Sequence, residues 1–64
     1  MKLDGKTVYG SKGDMDVECT IKSGQLGVQP FVALDTQTGM PVERFTKNEA
    51  KLLQEGNLPG WELA

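Results

Sequence analysis

Apolar and polar residues alternate strictly over one stretch of the chain. Met15, Val17, Cys19 and Ile21 are interleaved with Asp16, Glu18, Thr20 and Lys22. A period of two predicts a strand with one buried face. Beyond Ser23-Gly24 the same period continues through Leu26, Val28, Pro30, Val32 and Leu34. A two-residue turn at Ser23-Gly24 would align Ile21 with Leu26, Cys19 with Val28, Val17 with Pro30 and Met15 with Val32. All of these then share one face, whereas a slip by one residue would turn half of them outward.

A second hairpin continues the pattern. With Asp35 to Gly39 as its loop, Leu34 meets Met40 and Val32 meets Val42 on that face. The expected strands are roughly Met15–Ile21, Leu26–Leu34 and Met40–Arg44. A fourth, over Lys6–Tyr9, joins through the glycines from Gly10 to Gly13. Pro30 is the misfit, because a proline inside a central strand removes a ladder hydrogen bond. A bulge or bend is expected there, which would help the sheet to curl.

At Thr46 the period changes. Thr46-Lys47-Asn48-Glu49 has the form of a capping box, with Phe45 ahead of it and Ala50 placed for a staple contact. The helix is predicted from about Lys47 to Glu55, ending at Gly56. Ala50, Leu53 and in part Leu52 form its apolar stripe. So short a helix does not persist alone in water, so it must lie on the sheet. After Pro59-Gly60 the tail can add a short strand that presents Trp61 and Leu63 together, with the tryptophan as a core or rim anchor. The expected fold is therefore α+β and β-rich. It is an antiparallel β-meander of three to five short strands, able to curl into a small barrel, with one short C-terminal helix packed on it. A single small domain spans residues 1–64.

Composition narrows the chemistry. The chain has 64 residues, nine acidic and seven basic, one cysteine and no histidine, with a net charge of -2. A domain this small buries only about 60% of its unfolded surface, which leaves a thin core. Without histidine the usual proton shuttle near neutral pH is missing, and so is the commonest transition-metal ligand. Cys19 alone forms no internal disulfide and completes no zinc site. The acidic balance disfavours non-specific nucleic-acid binding, which rests on Lys and Arg at phosphates. No apolar run approaches the roughly 20 residues of a membrane span. The charges of Met1 to Lys6 are not followed by an apolar segment, so the expectation is a cytoplasmic protein without a signal peptide.

Four motifs invite a functional reading, and each has a plainer one. Asp14, Asp16 and Glu18 could offer oxygen ligands to Mg²⁺ or Ca²⁺, but no loop is at hand to wrap the ion, and a solvated strand face explains them. Gly5-Lys6-Thr7 has the end of a phosphate-binding loop without its first glycine, and reads as a tight turn. Lys12-Gly13-Asp14 matches an integrin-binding tripeptide over three residues only. Cys19 faces inward without a base to activate it, and reads as a structural thiol. No catalytic residue, cofactor or metal ligand is assigned.

The outer sheet face is the remaining candidate. In the register above, Phe31 points away from the core between Gln29 and Ala33. Glu18, Thr20 and Glu43 come from the neighbouring strands, and Tyr9 joins them if the first strand lies beside the second. An aromatic residue among small ones, ringed by charge, has the anatomy of a modest protein-binding patch. The functional expectation is a small non-catalytic binding protein acting through this face or a strand edge on a protein partner, or on a second copy of itself. Acidic stand-alone proteins of this length are common among phage and mobile-element products that block host machinery, and an inhibitor of that style is the analogous case. The alternative is an SH3-like or OB-like nucleic-acid-binding barrel that stacks bases on Phe31, Tyr9 and Trp61, to which the missing basic stripe is the main objection.

Overall fold

In the computed structural model, which describes residues 3–24 and 26–64, the chain forms five strands and one helix. They are β1 (Thr7–Lys12), β2 (Met15–Lys22), β3 (Phe31–Asp35), β4 (Pro41–Phe45), α1 (Lys47–Glu55) and β5 (Trp61–Leu63). All strand pairs are antiparallel, in the order β4-β3-β2-β1-β5. The fold is α+β, as the patterning predicts. β4 and β5 are the two edges, so the sheet is open and does not close into a barrel. The helix links these edges in sequence and packs against both.

Local chemistry fixes the turns. Leu3 to Lys6 form a tight turn in which the Lys6 N–H donates to the Leu3 carbonyl at 2.9 Å, with Gly5 at φ 82°. Glycine at this third turn position tolerates positive φ without a Cβ clash. Asp4 Oδ1 accepts from the Ser23 N–H at 2.8 Å, tying this turn to the end of β2. The turn drops Leu3 into the core, a placement that no periodicity in the sequence announces. β1 and β2 are joined by Gly13-Asp14, with Lys12 opposite Met15. β1 therefore runs through Gly10, which the sequence reading places in a turn.

The helix starts and stops as its sequence predicts. The Thr46 hydroxyl accepts from the Glu49 N–H at 3.1 Å, and Glu49 Oε1 accepts from the Thr46 N–H at 2.9 Å. At the other end Gly56 is left-handed, and the Asn57 N–H returns to the Leu52 carbonyl at 2.8 Å. Ala50 and Leu53 are buried and Leu52 is partly exposed. On the sheet side the core is built from Val8, Cys19, Ile21, Ala33 and Phe45. Each fully buried large side chain contributes about 1.5–3 kcal/mol. Trp61 and Leu63 are half-buried on the same face, and the Trp61 ring meets Phe45 edge-on at 5.3 Å.

The two-residue hairpin between the second and third strands is not observed. β2 pairs with β3 through Cys19–Asp35, Thr20–Leu34, Ile21–Ala33 and Lys22–Val32. Residues 23, 24 and 26–30 lie outside the strands, and Gly24 and Gly27 adopt positive φ. The physical reason lies in Pro30. Outside the sheet it costs no ladder hydrogen bond, whereas inside a central strand it would. The release strands Leu26 and Val28, expected in the core, at 97% and 86% exposure. It also shifts β3 by an odd number of residues, so Phe31 and Ala33 are the side chains that join the core cluster, while Val32 stays buried, as expected, but in the register of the opposite face, with Leu34 half-buried beside it.

The second hairpin is corrected in the same sense. Its loop holds together as expected, with Asp35 Oδ1 accepting from the Gln37 and Thr38 N–H groups at 2.7 and 3.2 Å. Val32 nevertheless pairs with Arg44, not Val42, and Leu34 with Pro41, not Met40. A register shift between Ala33 and Leu34 leaves Val42 as the extra residue of a bulge. Met15 and Met40, expected inward, are 69% and 63% exposed.

Candidate functional site

The patch drawn around Phe31 is dispersed by this register. Phe31 lies opposite Phe45 on the inner face and packs against the core. Ala33 is fully buried between Ile21 and Glu43, so it offers nothing to a partner. Glu43 shares that inner face and forms an ion pair with Lys12, Nζ to Oε2 at 3.7 Å. Gln29 is in the loop ahead of β3, where it lines a shallow depression of about 290 Å³ with residues 41–44. These four residues do not form one surface.

The other three expected residues do come together. Tyr9, Glu18 and Thr20 belong to the face of β1 and β2 that the helix leaves uncovered. Tyr9 is 45% exposed and sits directly opposite Glu18 on one side. On its other side, across the β1–β5 pair, it faces Glu62. Cross-strand neighbours of this kind have their Cβ atoms about 4.5–5.5 Å apart. Thr20 is paired with Thr7 and Leu34 in the next rows.

Two hydroxyls brace the carboxylates. Thr36 Oγ1 donates to Glu18 Oε2 at 3.1 Å, and the Thr36 N–H donates to the Glu18 carbonyl at 3.1 Å. Ser11 Oγ donates to Asp16 Oδ1 at 3.3 Å. Asp16 and Glu18 are thus engaged separately, each with its own hydroxyl. A cavity of about 720 Å³ lies against residues 9–11, 16–18 and 60–62, together with Leu58. Its lining draws on both sides of the sheet, with Tyr9, Asp16, Glu18 and Glu62 from the open face and Val17, Leu58 and Trp61 from the side that packs against the core, and none of the lining residues is basic. Among the described residues the one ion pair is Lys12–Glu43, outside this lining.

Glu62 and Ser11 escape the sequence reading. The alternation of Trp61 and Leu63 already turns Glu62 outward, but nothing local says that β5 pairs with β1. The thiol of Cys19 is buried on the core side of the sheet. Burial pushes its pKa up, and the Asp35 and Glu18 carboxylates push it further. At neutral pH it is a protonated, inert side chain, as the inward placement of Cys19 predicts. No helix of the described residues is long and apolar enough to cross a membrane. Comparison with known proteins finds no match to the chain among family models, curated proteins or solved structures.

Proposed function

We propose that this is a non-catalytic binding protein whose working surface is the open face of β1, β2 and β5, and that its partner is another protein. The observation that carries the reading is Tyr9, which stands half-exposed between Glu18 and Glu62 on the face opposite the helix. A tyrosine supplies a rigid, amphipathic contact area, and such residues recur at the centres of protein interfaces. The carboxylates at positions 16, 18 and 62 around it would repel a phosphate backbone, which favours a protein over a nucleic acid.

Site-specific photocrosslinking in the source cells tests this. A photoreactive phenylalanine analogue at position 9 is expected to form a discrete protein adduct, while the same analogue at position 51, on the exposed side of α1, is not. Equal adducts from both positions, or none from position 9, would overturn the reading.

A further inference from the structure

The chemistry of the open face also selects the kind of partner, provided that this face is the working surface. We infer that the open face at Tyr9 takes an arginine side chain from a segment of the partner. Tyr9 lies between Glu18 and Glu62 as a direct cross-strand neighbour of each. Adjacent strands are about 4.8 Å apart, so the outer two residues stand roughly 10 Å apart with the ring between them. A planar guanidinium over the ring gains a cation–π contact. Its fork of donors can then serve a carboxylate while it remains stacked.

Glu18 is already held by the Thr36 hydroxyl and Asp16 by Ser11, so two of the acceptors are positioned before any ligand arrives. Charge complementarity points the same way. The cavity lining contains three carboxylates and no base, in a chain whose net charge is only -2. A lysine ammonium would match the charge but not the stacked, forked geometry, so arginine is the preferred occupant.

Titration with an end-capped peptide of alternating glycine and arginine, followed by backbone amide shifts and Trp61 fluorescence, tests the inference. Matched lysine and glutamate peptides serve as controls. The arginine peptide is expected to shift residues of β1, β2 and β5, to bind more tightly than the lysine peptide, and to weaken as salt is raised. Tyr9→Ala, or Glu18→Gln combined with Glu62→Gln, should weaken it about tenfold, equivalent to roughly 1.4 kcal/mol. Glu55→Gln, which removes a charge from α1 on the other side of the sheet, should change it less than about twofold if the pairing is local rather than a long-range field.

Thermal melts of the same variants confirm that they are folded. Equal binding of lysine and arginine peptides, an effect of Glu55→Gln as large as that of Glu62→Gln, or no saturable binding would each overturn the arginine assignment. A Tyr9-centred crosslink with no response to the arginine peptide would leave the open face as the working surface and refute only the partner chemistry. A peptide response without any adduct at position 9 in cells would refute the protein-partner reading instead.

Discussion

Gly10 shows how much one hydrogen atom can matter in a domain this thin. It is not among the glycines with positive φ, so its backbone does not need glycine. Its neighbour does: a Cβ at position 10 would overlap Cε3, Cδ2 and Cζ3 of the Trp61 ring, which lies over the strand. Gly10→Ala must therefore displace Trp61 from its edge-on contact with Phe45. Overpacking of this kind costs about 1–3 kcal/mol. In a domain of this size that lowers Tm by at least several degrees. Calorimetry, with a shift in Trp61 emission as the companion signal, measures both effects. Gly13→Ala meets no neighbouring atom, so any loss there arises from its positive φ alone and leaves the Trp61 emission unchanged.

Cys19 gives a second prediction at this scale. Its folded pKa is raised, first by burial and then by Asp35 and Glu18, so the folded chain holds the thiol proton after the unfolded chain has released it. The corresponding stability is complete below the unfolded value of about 8.5 and is lost as pH rises through the folded one. Cys19→Ala should flatten that part of the alkaline decline, as followed by denaturant melts across the alkaline range. An identical slope in both proteins would show that the thiol contributes none of it.

At the level of elements, some stretches of the sequence specify their structure and others do not. β2 is legible because Asp16, Glu18, Thr20 and Lys22 contrast with the apolar residues between them, and its inward face is the one predicted. The helix is legible because Thr46, Glu49 and Gly56 each do a separate capping task. β3 is not legible: Phe31-Val32-Ala33-Leu34 is apolar at every position, so either face could point inward and periodicity cannot choose. Pro30 and the two loop glycines decide the matter, and Ala33 enters the core while Leu34 remains half-buried.

The candidate site divides along the same line. Tyr9, Glu18 and Thr20 depend on the β1–β2 pairing and share one face, while Phe31 and Ala33 depend on β3 and lie on the other. The two registers make opposite predictions. Ala33→Glu places an unpaired charge in the core beside Glu43, a defect costing several kcal/mol, and should abolish the cooperative melt. Leu34→Glu should remain folded with a smaller loss, because that side chain is on the face away from the core. In the two-residue hairpin the order would be reversed, so circular dichroism of the pair discriminates between them.

For the molecule as a whole, an open sheet raises the question of what protects its edges. A long, flat edge strand recruits further strands, and proteins blunt such edges with proline, bulges, charges or brevity. Here β4 opens with Pro41, carries the bulge at Val42 and ends in Glu43-Arg44-Phe45, while β5 is only three residues long. Neither edge is a good template for a second sheet. Self-docking centred on Tyr9 is disfavoured too, since it would set Asp16, Glu18 and Glu62 of one copy against those of another, while Lys22 and Arg44 stand two rows further along the face. Leu26 and Val28 are exposed in the loop ahead of β3. Edge protection and like-charge repulsion together predict a 7.0 kDa monomer in sedimentation at micromolar concentration and moderate salt. If a dimer forms instead, Leu26→Ser with Val28→Ser locates the contact. Dissociation by that pair assigns it to the loop, and persistence places it on an edge or on the open face, where a second copy would compete directly with the arginine-bearing partner.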